Sequence, residues 1–279
     1  MTPTRPVLRW HGGKWRLAPW IIGYFPSHRI YVEPYGGAAS VLMHKPRSYA
    51  EVYNDLDDDV VTLFRVLRNP AACLHLIELL RLTPFARAEF FNAYEIASDP
   101  VERARRLIIR SFMGFGSNAH NAAARKTGFR SNSNRRGTTP AHDWHGYPDC
   151  CAHIIERLQG VVIENRPAMQ VMQQHDGAET LHYVDPPYLP ETRSGNAGGV
   201  TQGYAHEMTV EQHQELLDFL KTLRGMVVLS GYASPLYDRQ LKNWRRVTRR
   251  AFADGGGQRV EVLWMNEAAS RGTQTSLAV

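Results

Sequence analysis

Ile30-Tyr31-Val32-Glu33-Pro34-Tyr35-Gly36-Gly37-Ala38-Ala39-Ser40, with Tyr49-Ala50-Glu51-Val52-Tyr53-Asn54-Asp55 a short distance downstream, carries the pattern on which the fold turns. Ile30 to Glu33 reads as a buried strand, the glycines as a turn, and Ser40 to His44 as a helix. A second strand, Tyr49 to Tyr53, ends in an acid at Asp55. From Asp57 to Leu67 the apolar positions Val60, Val61, Phe64 and Leu67 follow the spacing of an amphipathic helix. Strand, glycine turn, helix, strand and terminal acid make a βαβ nucleotide-binding unit. Gly36-Gly37-Ala38-Ala39 does not fit the GxGxxG of dinucleotide sites. A carboxylate at Asp55 suits both hydroxyls of a ribose, so the expected ligand is a nucleoside-like cofactor without a pyrophosphate.

Working outward, strand and helix patterns resume after the middle of the chain. Val161 to Ile163, Leu181 to Val184 and Met226 to Leu229 read as strands; Ala168 to Gln173 and Val210 to Leu223 read as helices. Trp244–Phe252 and Arg259–Met265 read as an antiparallel pair, and 266–279 as a loose tail. Between these halves, helical patterns run over Ala71–Leu80, Ala86–Ala97 and Val101–Met113. A polar stretch from Gly114 to Gly146 follows, long for a compact domain unless it is functional or forms a hairpin. The expected architecture is an α/β Rossmann-like sheet, residues 1–68 and 154–279, interrupted by a mostly helical insertion, residues 69–153. Such sheets bind ligands beyond the carboxyl ends of their strands, where Glu33, Asp55, Glu164 and Asp185 fall.

The strand Leu181 to Val184 runs into Asp185-Pro186-Pro187-Tyr188. Two prolines end the ladder and stiffen the chain, with a carboxylate before them and an aromatic ring after. A planar group bearing an NH2 could stack on Tyr188 while Asp185 and a nearby carbonyl accept its two protons. By itself the motif fits equally a strand-ending turn. Leu8-Arg9-Trp10-His11-Gly12-Gly13-Lys14 likewise fits a basic arm or a structural cap as well as a pocket wall.

Charge points to the partner. The net charge is +6, and between Val101 and Arg136 nine Lys or Arg residues accompany one acid, Glu102. Lys242, Arg245, Arg246, Arg249 and Arg250 form a second cluster with no acid between them. Such patches suit a polyanion. The three cysteines, Cys73, Cys150 and Cys151, make neither a full disulfide set nor a zinc pattern. With no signal-peptide core in the first residues and no long apolar run, a reduced, cytoplasmic protein away from the membrane is expected.

Taken together, Arg9-Trp10-His11-Gly12-Gly13-Lys14, Glu33-Pro34-Tyr35-Gly36-Gly37-Ala38, Asn54-Asp55-Leu56-Asp57 and Asp185-Pro186-Pro187-Tyr188 resemble, in order, the motifs of the DNA adenine methylases. Ser230-Gly231-Tyr232 and Leu236-Tyr237 resemble a later pocket segment of that family. The order is that of its alpha group, and the resemblance runs from Leu8 to Met265. It implies methyl transfer from S-adenosylmethionine to adenine N6 in double-stranded DNA, with the base flipped out, no metal, and a monomer as the default. It places Trp10 and Lys14 near the methionine end of the cofactor, Glu33, Tyr35 and Gly37 at the glycine turn, and Asp55 on the ribose. Glu164 and Asn165 would meet the cofactor's adenine ring. Asp185, also beside the cofactor, with Pro186 and Pro187 would hold the target amine, and Tyr188 would stack on the target base. In the insertion, a DNA target-recognition domain, Arg125, Lys126, Arg130, Arg135 and Arg136 would meet phosphates and one or two base edges; Tyr204 and His206 would order on DNA. Two features depart from the family: Ala39 stands where glycine is common, and Gly114 to Gly146 does not match the segment that reads GATC. An RNA or protein amide methyltransferase and a non-catalytic DNA-binding regulator are the competing classes; the former usually carry Asn at the position of Asp185.

Overall fold

The computed structural model describes residues 3–116, 127–132, 137–192, 204, 206–252 and 258–276. The chain divides into two compact units: Lys14–Leu56, Gly160–Thr201 and His206–Val279 form a sheet unit, and Met1–Gly13, Asp57–Gln159 and Gln202–Ala205 a helical one. In chain order the elements are α1 (Ala18–Ile22), β1 (Ile30–Glu33), α2 (Ser40–His44), β2 (Ala50–Asn54) and α3 (Asp58–Arg68). The helical series continues with α4 (Pro70–Leu82), α5 (Arg87–Asn92), α6 (Pro100–Met113), α7 (Pro140–His145) and α8 (Tyr147–Leu158). The sheet unit resumes with β3 (Val161–Glu164), α9 (Ala168–Gln174), β4 (Thr180–Val184), α10 (Val210–Leu220), β5 (Met226–Tyr232) and α11 (Pro235–Gln240). It closes with β6 (Arg245–Phe252), β7 (Gln258–Met265) and α12 (Glu267–Ser276).

Among the described residues, seven strands form one sheet in the order β3-β2-β1-β4-β5-β7-β6. The first five are parallel, and β7 lies antiparallel between β5 and β6. Chain order runs outward from β1 through β2 to β3 on one side and from β4 to β5 on the other, so the sheet reverses between β1 and β4. Both are central strands, which explains their apolar runs: every residue of β4 is buried, as are Tyr31, Val32 and Glu33 of β1. Helices α9, α10 and α11 bury Met172, Leu216, Leu217, Leu220 and Tyr237 against Val184, Val227, Leu229 and Trp264 of the strands.

The helical unit is larger than residues 69–153. The face of α3 that carries Val60, Val61, Phe64 and Leu67 is buried, and its N-terminal acids hold α6: Arg103 reaches Asp58 at 2.8 Å and Asp59 at 2.7 Å, and Arg110 reaches Asp59 at 2.9 Å. Acids in the first turn of a helix are also favoured by its dipole. The N-terminal arm belongs here too, because the Tyr147 hydroxyl donates to the Val7 carbonyl at 2.8 Å and the Arg9 N–H donates to Ser111 Oγ at 2.7 Å.

Several elements differ from their sequence patterns for local reasons. Helix α5 stops at Asn92 rather than Ala97 because arginines of α6 take the carbonyls beyond it, Arg110 that of Ala93 and Arg106 that of Glu95, each at 2.7 Å. Helix α10 ends at Leu220 rather than Leu223, and the next turn is drawn off by Asp176, which accepts the Arg224 and Gly225 N–H groups at 2.8 and 2.9 Å. Within the polar stretch, Gly114 and Phe129 form an antiparallel bridge, and α7 begins where the Thr139 hydroxyl caps it by accepting the His142 N–H.

The expected loose tail is instead helix α12. Asn266 makes it possible: its Oδ1 caps the Ala269 N–H at 2.9 Å and accepts the Val227 N–H at 3.0 Å, while its Nδ2 donates to the Gly225 carbonyl at 2.9 Å. One side chain thus starts the helix and ties it to β5. Asn266→Ala is expected to cost about 1–2 kcal/mol of stability, read from urea denaturation. A loss below about 0.3 kcal/mol would contradict that role.

Candidate active site at the carboxyl edge of the sheet

Because β3, β2, β1 and β4 are parallel neighbours, their carboxyl ends lie side by side along one edge. Glu164, Asn54 with Asp55, Glu33 and Asp185 follow one another there. Glu33 and Asp185 flank the point where strand order reverses, the usual ligand crevice of such sheets.

The glycine turn is tied to β2. A side chain on Gly36 would strike the Tyr53 ring, with Cβ only 2.1 Å from Cε2. The Tyr53 hydroxyl donates to the Gly37 carbonyl at 2.7 Å, and the Gly37 N–H donates to Asp55 Oδ2 at 2.7 Å. Asn165 Nδ2 donates to the Asp55 carbonyl at 2.7 Å, so turn, Asp55 and Asn165 make one connected rim. Gly37 and Ala39 both have positive φ, 48° and 54°. Alanine bears that conformation at a cost of about 1–2 kcal/mol, the physical content of the departure at Ala39. Tyr35 packs against the apolar cluster under α10 and α11, and burial pushes its hydroxyl pKa up. Glu164 ends β3 with Arg166 at 3.9 Å.

Lys14 precedes α1 and turns its ammonium inward. Its Nζ lies 3.0 Å from Asp185 Oδ2, 3.7 Å from Glu261 Oε1 and 4.7 Å from the centre of the Tyr188 ring. The side chains of Lys14 and Glu261 are 6% and 4% exposed, that of Asp185 16%. Asp185 Oδ1 is buried and has no hydrogen-bond partner among the described residues. Tyr188, buried, donates its hydroxyl to Glu261 and lies 3.1 Å from Ser230 Oγ, which itself donates to Glu261 Oε1 at 3.0 Å. The edge of Tyr232 meets Tyr188 at 4.7 Å between ring centres. Burial raises the Glu261 pKa against the pull of Lys14. Glu261 lies on β7 beside Tyr232 of β5, and no sequence pattern singled it out. Its only signal was an acid inside the apolar run of 260–265.

Glu33 faces inward beneath the crevice. Its Oε2 accepts the Tyr31 hydroxyl at 2.7 Å and the Leu42 N–H at 3.0 Å. Burial, with the nearby Asp185 charge, raises its pKa to about 8. At neutral pH Glu33 is therefore mostly protonated, and Asp185 is the negative group at the reversal point.

Other expected site residues lie in the helical unit or outside the described residues. The Trp10 carbonyl accepts the Gly13 N–H at 3.1 Å, closing the turn of the arm. Tyr204 meets the His11 ring edge-on at 4.9 Å, and a Cβ on Gly12 would strike its hydroxyl. The Arg130 guanidinium turns to the Phe112 carbonyl and Asp143, both at 3.4 Å. It lines a recess of about 410 Å³ together with Arg5, Pro6, Arg9, Phe112 and Asp143. Arg125, Lys126, Arg135 and Arg136 lie outside the described residues.

The strand order with its reversed β7 and the acid-lined edge define a Rossmann-like methyltransferase. The profile of a family described as D12 class N6 adenine-specific DNA methyltransferase matches residues 10–246. The chain belongs to this family, and its activity is adenine-specific DNA methyl transfer. It is 24% identical to a DNA adenine methylase of Haemophilus influenzae, covering 92% of this chain and 91% of that protein. It is 22% identical to the DNA adenine methylase of Escherichia coli K12, covering 94% of each, and 21% identical to that of Salmonella typhi, again covering 94% of each.

The Glu33 environment makes stability depend on pH. The folded carboxyl keeps its proton up to about pH 8, whereas an unfolded one releases it near 4.5, so the folded state binds the extra proton between those limits. Stability from this group is present at acid pH and is lost as pH rises through that window. Glu33→Gln, which keeps an acceptor for Tyr31 and Leu42, is expected to be the more stable protein at high pH by up to a few kcal/mol. The difference should shrink towards zero at pH 4.5; urea titrations at pH 4.5 and pH 8 measure it, and a pH-independent difference would contradict the assignment.

Proposed function

We propose that the protein transfers a methyl group from S-adenosylmethionine to N6 of an adenine flipped out of duplex DNA, with Asp185 as the acceptor that holds the amine. The carrying observation is Asp185 Oδ1, a buried acceptor without a partner among the described residues, at the strand end beside the reversal point. Buried acceptors are nearly always satisfied, so an orphan in a crevice suits a ligand donor. An exocyclic NH2 supplies that donor, and the Pro186 carbonyl is the neighbouring acceptor.

The rim residues fit the cofactor. Asp55 and Asn165 offer polar groups for a ribose and its base, and the Gly36-Gly37 turn lets backbone come close to a ligand. Bound there, S-adenosylmethionine supplies an electrophilic methyl on a sulfonium. One ammonium, Lys14, faces two carboxylates, Asp185 and Glu261, and the surplus negative charge favours a cationic cofactor. Lys14 also pairs with Asp185 at 3.0 Å, which fixes the carboxylate as an orienting acceptor. Its task is to aim the nitrogen lone pair, and a positioned in-line displacement needs little more. Flipping costs a few kcal/mol, and stacking on an aromatic ring such as Tyr188 returns about 1–3 kcal/mol. The helical unit, with its arginine-lined recess, is the part we assign to the DNA backbone and target sequence.

The test is incubation with labelled S-adenosylmethionine and unmethylated duplex DNA, with RNA as a parallel substrate, followed by sequencing for modified adenines. Label is expected in DNA at adenine N6 within one sequence. Asp185→Ala is expected to lower methylation by at least about a hundredfold while cofactor affinity falls less. Label in RNA alone, or normal turnover by Asp185→Ala, would overturn this function.

A further inference from the structure

Resting on that function, a second carboxylate acquires a task. Lys14 stands where the substrate amine belongs: it is an N–H donor 3.0 Å from Asp185 Oδ2 and 4.7 Å above the Tyr188 ring. A base cannot stack on that ring face and donate to Asp185 while the ammonium fills the same space. Lys14 has to yield, and it is too deeply buried to be left without an anion. Among the described residues, Glu261 Oε1, 3.7 Å from the same Nζ, is the second carboxylate within ion-pair distance. It is fixed in place, since Oε1 accepts from the hydroxyls of both Ser230 and Tyr188. Its β7 position, at the last pair of the β5–β7 ladder opposite Tyr232 and inside the β6–β7 ladder opposite Arg249, anchors its backbone in the sheet.

We propose that Glu261 is a positioning residue that takes Lys14 over from Asp185 as the target adenine enters, clearing the amine site. Before entry, Lys14 pairs chiefly with Asp185. After entry, the amine occupies Asp185 and Lys14 pairs with Glu261. Neither state leaves the buried ammonium unpaired, so the exchange proceeds without exposing a charge to the apolar core. A neutral group at position 261 would leave Lys14 on Asp185, where it competes with the amine inside the complex. Saturating DNA cannot relieve that competition, so the defect belongs in kcat.

The test uses the full chain, labelled S-adenosylmethionine and duplex DNA carrying the methylated site. Glu261→Gln keeps the shape and an acceptor for Tyr188 and Ser230. It is expected to lower kcat at least about tenfold, with KM for DNA and cofactor affinity within about twofold of wild type. Lys14→Met removes the competing ammonium, so Lys14→Met/Glu261→Gln is expected to be no slower than Lys14→Met alone. Lys14→Met and the double variant both lose the Lys14–Asp185 pair, and neither keeps a buried ammonium facing a neutral group, so this comparison stands even if Glu261→Gln alone fails to fold. A wild-type kcat for Glu261→Gln, a defect confined to KM, or losses that multiply in the double variant would overturn the proposal. An active wild-type enzyme with any of these outcomes removes only the role of Glu261; a wild-type chain that methylates no DNA removes the proposed function itself.

Discussion

A buried ammonium, Lys14, between the buried Glu261 and the half-buried Asp185 organises the carboxyl edge of the sheet. Lys14 reaches both Asp185 and Glu261, and through them it joins the start of α1 to the end of β4 and the middle of β7. Removing one partner of a buried pair costs about 3–5 kcal/mol, far more than an exposed pair is worth. The cost arises because the remaining charge has no water to fall back on. The Tyr188 hydroxyl and Ser230 complete the network from the other side of Glu261. What this assembly leaves over is one acceptor, Asp185 Oδ1, and that remainder is where we place the substrate amine.

The sheet makes such a network possible. Strand order reverses between β1 and β4, the point at which such sheets form a crevice beyond their carboxyl ends. Two acids meet there under opposite conditions. Glu33 faces inward, is satisfied by Tyr31 and Leu42, and keeps its proton at neutral pH. Asp185 faces Lys14 and the crevice. Burial thus separates two carboxyls that sequence alone presented as equivalent strand-end acids, and only one is left to hold a donor.

Much of this was legible before any coordinates. The βαβ start, the acid after β2, the strand before Asp185 and the terminal antiparallel pair rest on local periodicity, and local periodicity survives folding where both faces of a strand are buried. Helix ends were less legible because they depend on distant partners: Arg110 on the Ala93 carbonyl, and Asp176 on the turn after α10. Helix α12 hid behind a polar composition, since its start depends on Asn266 bonding to β5, a contact between segments far apart in sequence. Glu261 was hidden for the same reason. An acid in an edge-proximal strand reads as solvent-facing, and only the pairing of β7 with β5 turns it towards Tyr188 and Lys14. Lys14 itself was expected at the cofactor; in the fold it contacts Asp185 and the Tyr188 ring.

Recognition of an amine by Asp185 is tested directly by a binding cycle. Duplexes carrying adenine or unsubstituted purine at the target position are bound by wild type and Asp185→Ala, and the four dissociation constants give one coupling energy. Differences in flipping cost cancel in the cycle. If Asp185 Oδ1 accepts the N6 hydrogen, the coupling is about 1.5–3 kcal/mol, the range for a hydrogen bond to a charged group. A coupling near zero would mean that Asp185 does not hold the amine.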